Sequence, residues 1–223
     1  MNVDLPEWQC LLRQKAGDMS ALAGRLVANL SRTVWQRVCQ RSFWARMEST
    51  HEAAFRPTQF QTAAGLTLSV REYQPEDFAL LVEMYKGFEP KRVAQGLPPP
   101  DVPRIAHWLD ELQLKSRALL ALIEKRVVAH VILCPISDAA VEFTIFVHQD
   151  FRGQRVGTAM TRLALSFSSE MGFAEVFLTT ELTNIAALRL YRKLGFRMKS
   201  SFGEECEMKI DVVSAANAPP RAG

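Results

Sequence analysis

An apolar strand that turns through glycines directly into a helix leaves a chain few ways to fold. Val141 to Val147 reads as such a strand, and Arg152-Gly153-Gln154-Arg155-Val156-Gly157-Thr158 as the turn. A helix follows, with Val156, Met160, Leu163 and Phe167 on one face. Strand and helix each need an apolar face covered, which asks for a layered α/β arrangement. The junction also carries chemistry. The first N–H groups of a helix have no partner within it, and the helix dipole adds partial positive charge there, so the turn is an anion site. Gly153 and Gly157 allow close backbone approach, and Arg152 and Arg155 add cations suited to pyrophosphate or a ribose phosphate.

The flanking sequence fits one mixed sheet. Leu66, Leu68 and Val70 alternate with Thr67, Ser69 and Arg71, as in a half-buried strand. Pro75-Glu76-Asp77 opens a helix to about Lys86, and Asp101 caps another through Leu114. Ala118 to Ile123, Val127 to Leu133 and Val141 to Val147 are strand-like, the first two joined by the short turn Glu124-Lys125. A strand over Val176 to Thr180, a helix over Asn184 to Leu194 and strands over Phe196 to Ser200 and Cys206 to Val212 complete the order. Residues 1–60 form a helical, basic extension, residues 61–213 the sheet domain, and residues 214–223 a disordered tail of small residues and proline. Ser49 to Ala64, with Pro57, reads as a linker.

Composition narrows the class. Of 223 residues, 48% are hydrophobic and 23% charged, which excludes wholesale disorder and a disulfide scaffold. No uncharged apolar run is long enough to span a membrane, and Met1 to Leu12 lacks a secretory pattern, so a cytoplasmic location is expected. Cys10, Cys39, Cys134 and Cys206 show no metal-ligand spacing, so no metal is expected. Residues 1–60 hold eight Arg or Lys against five Asp or Glu, while the remainder holds nineteen of each. Leu22, Leu26, Leu30, Val34 and Val38 form an apolar stripe in that arm. Packing on its own domain, a homodimer contact, a protein partner and an acidic surface all stay open for it; nucleic acid has the weakest support.

The turn contains neither G-K-[ST] nor G-x-G-x-x-G, so nucleoside-triphosphate and dinucleotide loops lack support. It resembles the [QR]-x-x-G-x-[GA] signature of the GNAT superfamily of acyl-CoA-dependent N-acetyltransferases, with Arg155 at the first signature glycine. A second block, Asn184-Ile-Ala-Ala-Leu-Arg-Leu-Tyr191-Arg-Lys-Leu-Gly-Phe196, resembles the family's N-x-x-A-x-x-x-Y-x-x-x-G-F element. The resemblance covers about Leu66 to Val212 and implies a GNAT-type mixed, mostly antiparallel α/β (α+β) sheet with helices on both faces, here with an N-terminal helical extension.

The same resemblance implies acetyl-CoA as acyl donor, an amine acceptor and no metal. In the family the strand before the turn splays from its neighbour, and the pantetheine arm pairs with the exposed edge. That edge is assigned here to Phe146, Val147 and His148, and the pyrophosphate to Arg152, Gly153, Gln154, Arg155, Val156, Gly157 and Thr158. Asn184 matches a position that bonds the cofactor chain; a helix cap is the other reading and is compatible with that contact. Tyr191 matches the general acid that protonates the leaving thiolate. The backbone N–H of Val147 matches the oxyanion donor. Glu142 is the first candidate for deprotonating the amine, ahead of Glu181 and His148. His130 reads as a satisfied core residue. The segment Glu89 to Pro98 lies, on the same implication, over the acceptor entrance, with a solvated connector as the other reading. Arg155 is expected to tighten the turn while adding a cation. A catalytically silent acyl-CoA-binding module on the same fold stays open as the alternative.

Overall fold

A strand buried without interruption has to be covered on both faces, and Val127 to Leu133 is buried along its whole length, with His130 its one polar residue. This strand belongs near the middle of a sheet, and the rest of the architecture follows from covering its two sides. The computed structural model describes residues 53–90 and 97–212. The expected helices of residues 5–48, the greater part of the connector after Pro90 and the expected disordered tail from Ser214 lie outside the described residues.

Strands β1 (Thr58–Gln61) and β2 (Thr67–Glu72) precede helices α1 (Phe78–Lys86) and α2 (Val102–Gln113). Strands β3 (Arg117–Ile123), β4 (Arg126–Pro135) and β5 (Ala140–Val147) follow, then α3 (Val156–Glu170). The described chain closes with β6 (Glu175–Glu181), α4 (Ile185–Leu194), β7 (Arg197–Phe202) and β8 (Glu205–Asp211). All eight strands form one sheet in the order β1-β2-β3-β4-β5-β6-β8-β7. Every pairing is antiparallel except β5 with β6.

Period-two alternation divides the strand side chains between two cores. On one face Leu119, Val131, Leu133, Val141 and Phe143 belong to one buried cluster with Met160, Ala164 and Phe167 of α3. On the other face Phe146 of β5 and His130 of β4 meet Tyr85 of α1 and Trp108 of α2. Tyr85 lies 5.5 Å from Phe146 and 5.0 Å from Trp108, centroid to centroid, both edge-on. Aromatic rings with that geometry attract beyond their buried area.

The helix starts are set locally. Asp101 caps α2 by accepting the Arg104 N–H at 3.1 Å. Asp77, at the entry to α1, accepts the Gln74 N–H at 2.9 Å and a two-bond clasp from Arg71 at 2.5 and 2.6 Å. One expected element differs. Thr58–Gln61 lies inside the stretch read as a linker, yet it is a strand paired with β2 from Thr58↔Val70 to Gln61↔Thr67. Thr-Gln-Phe-Gln carries a single large apolar side chain, so its alternation is too weak to register by sequence alone; backbone pairing with β2 forms the strand.

Candidate functional site

The site begins where two parallel strands part. β5 pairs with β6 only over Ala140↔Glu175, Val141↔Val176 and Glu142↔Phe177. Beyond that point β5 stays with β4 as far as Val147, and β6 stays with β8 as far as Glu181. From Phe143 to Val147 the β5 edge toward β6 is therefore open. An open edge presents unpaired N–H and C=O groups to any amide-bearing chain that lies along it.

The ladder settles which residues present them. The His148 N–H donates to the Val128 carbonyl at 2.9 Å, and alternate residues of β5 turn the same way. Glu142, Thr144, Phe146 and His148 thus aim their backbone groups at β4. Phe143, Ile145 and Val147 aim theirs at the opening. Of the three edge residues expected from sequence, Val147 alone turns its backbone outward, and Phe143 and Ile145 join it. Their signal was the shared parity with Val147, which becomes readable only once the strand order is known. The Val147 carbonyl accepts the Arg152 Nε–H at 3.2 Å.

The turn beyond β5 delivers the chain to α3. His148 starts a short 3-10 turn, Gln149–Phe151, and Arg152 is extended. Gly153 then sits at φ +73°, in the left-handed region that glycine enters without cost, and a Cβ there would meet nothing within 4 Å. Arg155 sits at φ +65°. The arginine at the glycine position thus takes up glycine's own backbone conformation rather than forcing a tighter one, at roughly 1–2 kcal/mol for a residue with a Cβ. Arg155 makes no side-chain cap on α3. The first backbone bond into that helix is Ala159 N–H to the Arg155 carbonyl at 3.1 Å. The N–H groups of Val156, Gly157 and Thr158 therefore stand uncapped at the end of the open β5 edge, whereas α2 and α4 have side-chain caps. Val156 is buried and anchors the turn. Gln154 holds it from outside, its Nε2 donating to the Asp150 carbonyl at 2.8 Å and its own carbonyl accepting the Ala63 N–H at 3.0 Å.

Tyr191, on α4, lies on the α3 side of the opening. Its ring stands edge-on to Phe143 at 6.3 Å and lies 5.5 Å from Phe196. Burial pushes its phenol well above the usual tyrosine range, so the group keeps its proton at neutral pH. Asn184 caps α4, its Oδ1 accepting the Ala187 N–H at 3.2 Å, and it is exposed.

Glu142 occupies the last paired position before the opening, with Cys134 opposite it on β4. Burial, helped by the charge of Glu142, pushes the Cys134 thiol up to about 12. Alternation puts the Glu142 side chain on the α1–α2 face, across the sheet from Phe143 and Tyr191. Glu181 ends β6 and accepts the Thr183 hydroxyl at 3.2 Å. His148 is buried; desolvation lowers its pKa, opposed by Asp150 and assisted by Arg126 and Arg152. His130 shares a hydrogen bond of 2.8 Å with the Tyr85 hydroxyl, and burial lowers its pKa to about 3. It is the satisfied core residue read from the sequence. Among the described residues no cluster of three or more His, Cys, Asp or Glu could hold a metal ion, and no helix is long and apolar enough to cross a membrane.

An open strand edge, three uncapped helix N–H groups at its end and a phenol held protonated beside it can together hold an amide-bearing chain that ends in phosphate. Comparison with known proteins points the same way. The model of the acetyltransferase (GNAT) family matches residues 79–196. N-acetyltransferase 8 of Homo sapiens is 31% identical over 80 residues, which is 33% of this chain and 35% of that protein. The match therefore spans about a third of this curated relative's length. Among solved structures, the GNAT domain of S. lividans PAT superposes with a TM-score of 0.57 at 20% identity, covering 70% of this chain and 96% of that one. The protein yncA of Salmonella typhimurium, solved with its cofactor acetyl-CoA, gives 0.53 at 19% identity, covering 65% and 94%.

Proposed function

The chain belongs to the acetyltransferase (GNAT) family, and on that premise we propose that it moves an acetyl group from acetyl-CoA to a primary amine by direct attack. The observation that carries this reading is the opening between β5 and β6, with Tyr191 on one side of Phe143 and the uncapped start of α3 at its far end. The backbone groups of Ile145 and the Val147 carbonyl pair with the amides of the pantetheine arm. The N–H groups of Val156, Gly157 and Thr158 hold the pyrophosphate, with Arg155 adding charge. Gly153 and Gly157 leave room for that approach, since among the described residues a Cβ at Gly157 would meet only Val147 Cγ2, at 3.9 Å.

When bound, acetyl-CoA supplies an activated acyl group at the end of that arm. The protein residues do the rest. The Val147 N–H donates to the oxygen that gains charge as the amine attacks, and such a preset donor is worth about 2.7–4 kcal/mol in related sites. Glu142, on the α1–α2 face, takes the proton from the acceptor ammonium, directly or through water, since only the neutral amine is nucleophilic. Tyr191 gives its phenolic proton to the departing sulfur from the other side. Asn184 keeps its cap and lines the same mouth.

The experiment is free-thiol release from acetyl-CoA across a panel of amines, with Tyr191→Phe as the control. General acid catalysis is worth roughly 10²–10⁴ in rate, so turnover should fall by that factor. Affinity for acetyl-CoA should stay within about twofold, because the variant keeps the ring and its packing. Turnover within twofold of the parent would remove the acid role from Tyr191. Tight acetyl-CoA binding with no thiol release on any amine would favour a silent binding module.

A further inference from the structure

Gln149 follows the open edge by two residues, and its side chain reaches across to a segment sixty positions earlier. Its Nε2 donates to the Gly87 carbonyl at 2.7 Å, and its Oε1 accepts the Glu89 N–H at 3.0 Å. One amide thus satisfies both groups, as a neighbouring strand would. Phe88 lies between them, 2% exposed, edge-on to Phe146 at 5.8 Å and to His148 at 6.5 Å. The Arg152 guanidinium covers the Phe88 ring at 5.1 Å while its Nε–H holds the Val147 carbonyl. The strand end that offers Val147 on one side therefore holds the chain leaving α1 on the other.

Arg152 is shared between these two tasks. An amide-bearing chain lying on the β5 edge competes with Arg152 for the Val147 carbonyl, and an anion at the start of α3 draws the same guanidinium toward it. Either event loosens the cover over Phe88. Gln149 bonds only backbone of the other segment and is not displaced by such a ligand. We infer that Gln149 is a positioning residue: it keeps Gly87–Glu89 seated on the end of β5 while acyl-CoA occupies the edge. The inference rests on the acyl-CoA reading proposed above and extends it to the segment that leads from α1 toward α2.

Hydrogen exchange at the Glu89 amide, followed by NMR on the full chain with and without CoA, tests it. In the parent the amide should exchange at the same slow rate in both states. Gln149→Ala removes both bonds. Exchange should then rise about fivefold in the free protein, the factor set by one net hydrogen bond, and rise further when CoA is added because Arg152 is drawn away. Unchanged exchange in Gln149→Ala would overturn the inference. So would a rise of equal size with and without CoA, which marks a merely structural contact. Calorimetry with CoA on the parent separates the two readings. Absence of binding would overturn the acyl-CoA site and the coupling together, whereas binding without the CoA-dependent step in Gln149→Ala overturns the coupling alone.

Discussion

Replacing Gly157 by valine should abolish most acyl-CoA affinity while leaving the fold intact, and the structure sets both magnitudes. Gly157 lies in the first turn of α3 with ordinary helical backbone, and among the described residues the only atom near a built Cβ is Val147 Cγ2, at 3.9 Å. The new side chain meets no wall. Valine is a slightly better helix former than glycine, so stability should change by less than about 1 kcal/mol. The same side chain projects over the N–H groups of Val156, Gly157 and Thr158 and keeps an anion from reaching them. Loss of one charge-assisted hydrogen bond costs about 1.5–3 kcal/mol, which is roughly a 10- to 150-fold weaker Kd. Calorimetry with acetyl-CoA reads the affinity, and a thermal melt of the same sample reads the fold. A folded Gly157→Val protein with the parent's affinity would refute the placement of the phosphates at this helix start.

Two further outcomes follow from the backbone and the buried imidazole. Arg155→Gly should relieve a left-handed penalty of roughly 1–2 kcal/mol and lose about 0.5–1 to the freer unfolded chain, a net gain of up to about 1.5 kcal/mol, so Tm should rise by up to about 6 °C; a lower Tm would show that the arginine side chain stabilises the turn. His130 titrates near 6.5 when unfolded and at about 3 when folded, so the unfolded state takes up the extra proton as pH falls. The stability it contributes is present above pH 6.5 and lost as pH drops toward 3; His130→Gln should flatten that part of a Tm–pH profile, and an unchanged profile would contradict the assignment.

The sequence carried strands β2 to β8, helices α1 to α4 and both motif blocks because each depends on local pattern. Asp101 before Val102 and Asn184 before Ile185 are side chains that cap helices, and both are legible from residue type and position. The backbone direction of Phe146 and His148 is not local. Parity along β5 is visible in the sequence, but which parity faces β4 depends on the strand order, and so Phe143 and Ile145 were missed as edge residues. Arg155 in a glycine conformation was hidden for a similar reason. The neighbouring anchors, Val156 in the core and the Gln154 carbonyl on Ala63, hold the turn in place whatever residue occupies the position. The two bonds of Gln149 to Gly87 and Glu89 join segments sixty residues apart, and no local pattern announces them.

The position of the CoA sulfur decides whether the β5–β6 opening is the reaction site. A crystal structure of the full chain with CoA measures it directly. The predicted result has the sulfur within hydrogen-bond reach of the Tyr191 hydroxyl, pantetheine amides on the backbone of Ile145 or Val147, and the pyrophosphate on the N–H groups of Val156, Gly157 and Thr158. CoA seated elsewhere on the molecule, or lying in the opening with its sulfur out of reach of Tyr191, would contradict it.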